Sequence, residues 1–99
     1  MILKINNGKL ELRKDNGSYV RTICSSGVVD ADLSRDETLI VVTLENGKGE
    51  LRKDNGSYVR SIVSSNAVGA RWNGDDIAVR RKDGKVELRK ENGSYIRTI

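Results

Sequence analysis

Apolar and polar residues alternate in short runs along this chain, and turn dipeptides separate the runs. Met1, Leu3 and Ile5 form one alternating apolar set, and Ile40, Val42 and Leu44 form another. Leu10 and Leu12 alternate with Glu11 and Arg13. Period-two alternation is the mark of a strand with one buried face. Asn16-Gly17, Asn55-Gly56 and Asn92-Gly93 each join two such runs, and Asn7-Gly8, Asn46-Gly47 and Asp83-Gly84 form a second set. Asn-Gly suits a two-residue type I′ hairpin turn, whose central residues both need φ > 0. No segment carries a helical apolar stripe, so the pattern predicts consecutive antiparallel hairpins and almost no helix.

The hairpins repeat. Residues 8–23, 47–62 and 84–99 read GKLELRKDNGSYVRTI, GKGELRKDNGSYVRSI and GKVELRKENGSYIRTI. The first two agree at 14 of 16 positions and the last two at 12 of 16, with offsets of 39 and 37 residues. Residues 28–44 align with 67–81, Val29, Ala31 and Leu33 matching Val68, Ala70 and Trp72. Ile40 and Val42 match Ile77 and Val79, and Met1, Leu3 and Ile5 are expected in the slots of Ile40, Val42 and Leu44. One unit then predicts strands at Val28–Ser34, Leu39–Leu44, Lys48–Lys53 and Ser57–Val63. The next predicts Ala67–Trp72, Ile77–Lys82, Lys85–Lys90 and Ser94–Ile99.

Four short antiparallel strands in roughly 40 residues describe a β-propeller blade. VVDADLSRDETLIVVTLENGKGEL, residues 28–51, resembles a WD-repeat blade: an inner strand, a Ser-x-Asp turn, a second strand and a Gly-containing turn into the third. Leu51-Arg52 and Leu88-Arg89 stand where that family has Trp-Asp, and no Gly-His pair is present. The resemblance implies an all-β propeller but carries over no His–Ser–Asp network. A linear β-solenoid or open meander is the structural alternative.

Length then changes the picture. Three units of mean length 38 would need 114 residues; the chain has 99, short by fifteen, the length of segment 24–38. The first unit starts at its second strand, so eleven strands, about 2.75 blades, are expected. Residues 1–24 form a blade lacking its inner strand; 25–63 and 64–99 form complete blades. Propellers close with about four to eight blades. The expectation is a head-to-tail homodimer that closes a six-bladed ring of 22 strands and buries Leu10, Leu12, Val86 and Leu88 at blade contacts. The alternative is a fragment of a longer propeller chain.

Composition narrows the chemistry. There is no His, Pro or Phe, and one Cys, Cys24. Without His the commonest general base and zinc ligand is gone, and the serines have no imidazole to activate them. No enzyme activity, cofactor or metal site is expected. No run approaches the length of a membrane helix and no signal peptide is visible; with a lone thiol this favours a cytoplasmic location.

Lys plus Arg exceed Asp plus Glu by 18 to 14. The three repeated hairpins each carry +2, so the remainder is −2. A basic rim is one form of polyanion site, but with one Tyr per hairpin (Tyr19, Tyr58, Tyr95) and no Trp or Phe beside it there is little for bases to stack on. Nucleic acid is therefore not the expected partner. Alternating charge on a solvated face, giving cross-strand pairs such as Glu11 with its neighbours, is the simpler reading. The tyrosines form a thin carbohydrate platform at most. Asp30 and Asp32 lie at i and i+2 on an inner strand and point to one side, with Arg71 available to neutralise one of them. Candidate ligand-binding positions are Asp30, Asp32 and Arg71, with Ser25, Ser26, Ser64, Ser65 and Asn66 in the loops near the channel. Asp75 and Asp76 read as loop, and Trp72 as core. The function expected is a self-assembling scaffold for protein binding.

Overall fold

The computed structural model describes all 99 residues as eleven strands without a helix. β1 (Ile2–Asn6), β2 (Lys9–Arg13) and β3 (Tyr19–Cys24) form the first sheet. β4 (Val28–Leu33), β5 (Leu39–Leu44), β6 (Gly49–Lys53) and β7 (Tyr58–Val63) form the second. β8 (Ala67–Asn73), β9 (Asp76–Arg81), β10 (Val86–Arg89) and β11 (Tyr95–Thr98) form the third. Within each sheet, strands adjacent in sequence are paired and antiparallel, as short connections require. β5 has the expected bounds; the other strands differ by a residue or two at their ends. Asp76 opens β9 opposite Asn73 and is not loop, because a tight Gly74-Asp75 turn with Gly74 at φ 63° closes that hairpin.

The core lies between the sheets. Leu10, Leu12 and Ile23 of the first sheet pack with Val28, Ile40 and Val42 of the second. Val41, Leu51, Ile62 and Val63 pack with Ala67, Ala70, Ile77 and Val79 of the third. The second sheet is thus apolar on both faces: Ile40 and Val42 look back, Val41 and Leu51 look forward. Each side chain fully buried in this way contributes about 1.5–3 kcal/mol, and only stacked neighbours supply the burial.

Five of the six Gly turns differ from expectation. At Lys14–Ser18 the Gly17 amide donates to the Lys14 carbonyl and the Lys14 amide to the Ser18 carbonyl, at 2.8 and 2.9 Å. Only Gly17 has positive φ. This is a three-residue loop with a glycine bulge, and the same pair of bonds recurs at Gly47, Gly56, Gly84 and Gly93. The Asn or Asp before each glycine accepts the amide after it, as Asn16 does from Ser18 at 3.0 Å. Asn7-Gly8 alone has two positive φ angles, 52° and 79°, between the paired residues Asn6 and Lys9.

That shorter turn shifts β1 by one residue. Leu3 pairs with Leu12 as Val41 pairs with Leu51, and Ile2 with Arg13 as Ile40 with Arg52. Leu3 therefore occupies the place of Val41, not that of Val42. A one-residue slip exchanges the faces of a strand, so Ile2 and Lys4, not Met1 and Leu3, point away from the second sheet.

Candidate functional site

The inner strands β4 and β8 lie side by side, and their contact is made by the acidic pair singled out in the sequence. Asp30 and Asp32 pair with Thr43 and Val41 on β5 and project from one face toward β8. The Asp30 carboxylate accepts the Ala70 amide at 3.2 Å and Arg71 Nη1 at 2.6 Å, and Arg80 Nη2 lies 3.5 Å away. Asp32 accepts the Trp72 amide at 2.8 Å through its side chain and the indole N–H at 3.2 Å through its carbonyl. The hydrogen bond from Asp30 raises the pKa of Arg71 above its already high ordinary value and keeps the guanidinium charged.

This arrangement holds two blades together; its lone pairs are occupied by amides and guanidinium groups. Gly69 makes room for it. A Cβ there would fall on the Arg80 guanidinium and 2.7 Å from Asp30 Oδ2. Arg80 and the amides of Ala70 and Trp72 were absent from the sequence reading. Main-chain donors carry no sequence signal, and nothing in the sequence sets Arg80 apart from the other strand cations.

The loop candidates are dispersed. Ser25 and Ser26 are exposed, and the Ser26 carbonyl accepts a 3.5 Å contact from the Cys24 thiol. Ser64 and Ser65 are exposed, with Ser65 3.4 Å from the Asn66 amide group. Asn66 has φ 68° and accepts the Lys82 amide at 2.9 Å through its carbonyl. Ser64 lines a shallow hollow of about 270 Å³ with Lys48 and Tyr58, whereas Asn66 lines a separate one of about 210 Å³ with Arg81 and Lys82. Neither group joins Asp30 and Asp32. A groove of about 240 Å³ between the second and third sheets is bordered by Ser34, Asp36, Leu39, Trp72, Asp75 and Glu91. Asp36 in it is held below its ordinary pKa by the hydroxyls of Thr38 and Ser34. Trp72 is half-buried against the core, with one side on this groove.

The rim charges are arranged differently from the expected solvated pairs. Glu11 and Glu87 are each 5% exposed. The Glu of each repeated hairpin bonds the Arg two places along its own strand: Glu11 with Arg13 at 2.7 Å, Glu50 with Arg52 at 2.6 Å and Glu87 with Arg89 at 2.8 Å. Glu87 also meets Arg81. The same arginines donate to the glycine carbonyl of their own turn, at Gly17, Gly56 and Gly93. The Glu-Leu-Arg triplet thus locks a strand to its turn, which is why the carboxylates are covered. Burial works to raise the Glu87 carboxyl, but Arg89 and Arg81 outweigh it and hold it below its ordinary value. The hydrogen bond from Arg13 does the same for Glu11.

Arg21 does not pair across its own sheet. Its guanidinium donates to the Asp54 carbonyl in the next sheet at 3.0 Å, and Arg60 donates to the Glu91 carbonyl at 3.0 Å. Arg97, the third member of the series, meets no acceptor. The tyrosines are half exposed on the rim. The Tyr19 and Tyr95 hydroxyls bond Thr22 and Thr98 at 2.9 and 2.7 Å, so they are not left to water alone.

Three stacked antiparallel sheets, inner strands together and repeated hairpins outermost, define part of a β-propeller with WD-repeat-like blades. Solved structures share this fold. The chain superposes on BamB from Moraxella catarrhalis with a TM-score of 0.78 at 13% identity, over 98% of this chain and 32% of that one. It matches Sqt1 from Saccharomyces cerevisiae at 0.75 and 16%, over 94% and 29%. The Pan2 WD40 domain of Neurospora crassa gives 0.75 and 10%, over 98% and 32%. The chain spans about a third of the length of these structures. No protein-family model and no curated protein matches the sequence.

Proposed function

We propose that the chain is a non-enzymatic scaffold that closes a six-bladed ring with a second copy of itself. The observation that carries this reading is the contrast between equivalent residues. Leu12 and Leu51 look forward into the next blade and are 3% and 0% exposed. Leu88, their equivalent, is only half-buried. Ile23 and Ile62 are buried, whereas Ile99 is 71% exposed. The head of the chain has the complementary deficit. A Cβ on Gly56 or Gly93 would meet the preceding blade, 3.4 Å from the carbonyl of Ile23 or Ser61, whereas one on Gly17 would meet nothing within 4 Å. A second copy would set its first blade on the third blade of the first, with Arg97 reaching the Asp15 carbonyl of that copy. Two such junctions close the ring, so the assembly is limited to two chains.

Placing a charge on the open face tests this. Leu88→Asp is expected to convert a two-chain species to single chains while the strand signal in circular dichroism persists. An unchanged mass for the variant would count against ring closure through this face.

A second reading is favoured by the span of about a third of the matched propellers. Further blades of the same polypeptide would cover the same two faces, and the chain would then be three blades of a larger ring.

A further inference from the structure

Six Asn-Gly pairs stand in this chain, and the fold divides them four to two. At Asn16, Asn46, Asn55 and Asn92 the glycine amide is engaged. It donates to the carbonyl three residues back, as Gly17 does to Lys14 at 2.8 Å and Gly47 to Leu44 at 3.0 Å. The asparagine is held as well, its Oδ1 accepting the amide two residues on at 2.9–3.0 Å. At Asn7-Gly8 and Asn73-Gly74 neither bond is made. These pairs belong to two-residue turns, one closed by the pair Asn6 and Lys9 and the other by Asn73 and Asp76. The Gly8 and Gly74 amides donate to no acceptor, and the exposed side chains of Asn7 and Asn73 meet no partner.

We propose that Asn7 and Asn73 are sites of spontaneous covalent modification, each cyclising onto the glycine that follows it. Water and hydroxide are the only co-reactants. Hydroxide takes the glycine amide proton, and the amide nitrogen attacks the asparagine Cγ. A C–N bond forms, the Cγ–Nδ2 bond breaks, and the departing nitrogen takes a proton from water and leaves as ammonia. The product is a five-membered succinimide. Water then opens one of its two carbonyl–nitrogen bonds, giving aspartate or isoaspartate; nothing is oxidised or reduced. Asparagine is thermolabile in general, and the fold adds selectivity. The nucleophile must be an unbonded amide, and the side chain must be free to turn toward it. At the other four pairs both hydrogen bonds have to open first, and the net worth of each makes the opened state about two- to ten-fold rarer. The consequence is local. Each event puts a carboxylate into a turn, and isoaspartate also adds one main-chain carbon to a hairpin whose register depends on a two-residue turn. Both turns lie within single sheets, so the ranking does not depend on ring closure.

The test is a time course on the full chain at mildly alkaline pH, with the strand signal in circular dichroism followed throughout. Samples are cleaved after glutamate, so that the near-identical hairpins give distinct peptides, and mapped by fragmentation mass spectrometry. The exchange of amide for acid is read at each asparagine. Asn7 and Asn73 are expected to convert about ten-fold faster than Asn16, Asn46, Asn55 and Asn92. In urea, where the hydrogen bonds are gone, the six rates should converge. Conversion of the other four as fast as Asn7 and Asn73 in the folded chain, or a spread that survives in urea, would overturn the proposal. Slow conversion at either Asn7 or Asn73 would overturn the assignment of that site.

Discussion

Arg21 reaches from β3 to the main-chain carbonyl of Asp54 in the next blade, 3.0 Å away, and Arg60 repeats the contact with Glu91. The contact recurs at both internal junctions because both are built from the same hairpin. Removing it at an internal junction should weaken the fold itself. Arg60→Met is expected to lower unfolding stability by about 0.5–1.5 kcal/mol, the net value of one hydrogen bond. Arg97→Met should stay within about 0.5 kcal/mol for the isolated chain, as a surface substitution does. It should instead make the urea midpoint more dependent on protein concentration. Urea melts at two concentrations check both.

The inner clamp predicts a graded series. Asp32→Ala removes the acceptor of the Trp72 amide and is expected to cost about 1–3 kcal/mol, because that amide is left without a partner. Asp32→Asn retains a side-chain oxygen and should cost less. Trp72 sits at the contact, so its fluorescence should respond more to the alanine variant than to the asparagine one. Identical melts for the two variants would show that the amide does not need its acceptor.

Acid should loosen the rim first. Glu11 and Glu87 have pKa values lowered below 4.5 in the folded chain, and Asp36 is lowered below 3.8. A carboxyl with a depressed folded pKa contributes stability that is present above its unfolded value. That stability is lost as pH falls through the folded value. Stability should therefore be flat near neutrality and fall once the pH drops below about 4.5. Glu87→Gln should flatten that fall, since the variant has no proton to take up. A denaturation series between neutral and strongly acid pH measures the slope.

Two glycines with similar backbone angles should behave differently. Gly17 and Gly47 have φ 90° and 88°. A Cβ on Gly17 meets nothing within 4 Å, whereas one on Gly47 would lie 2.7 Å from the Asn66 amide nitrogen. Gly17→Ala is expected to cost about 1–2 kcal/mol, the backbone term alone. Gly47→Ala should cost more, because two main chains must also move apart. Thermal melts of the two variants give the comparison directly.

The repeat made most of the fold legible: sixteen-residue copies fix strand order, and period-two alternation fixes which strands face a core. Register in β1 was not legible. Asn-Gly serves both the two-residue turn at Asn7-Gly8 and the three-residue loops elsewhere, since glycine supplies positive φ in each. The burial of Glu11 and Glu87 was hidden because a charged residue between two apolar ones reads as outward-facing, whatever arginine covers it. Asp30 and Asp32 were visible as a pair on one side of a strand. Their acceptor role toward Ala70 and Trp72 was not, because it joins residues 40 apart through main-chain groups.

Three blades with two open faces are proposed to complete themselves with a second copy of the chain. Light scattering on a sizing column at micromolar concentration tests it most directly. One chain has a mass of 11.0 kDa. Ring closure predicts a single species of twice that mass, unchanged on dilution through the column. A folded, strand-rich species with the mass of one chain would contradict it.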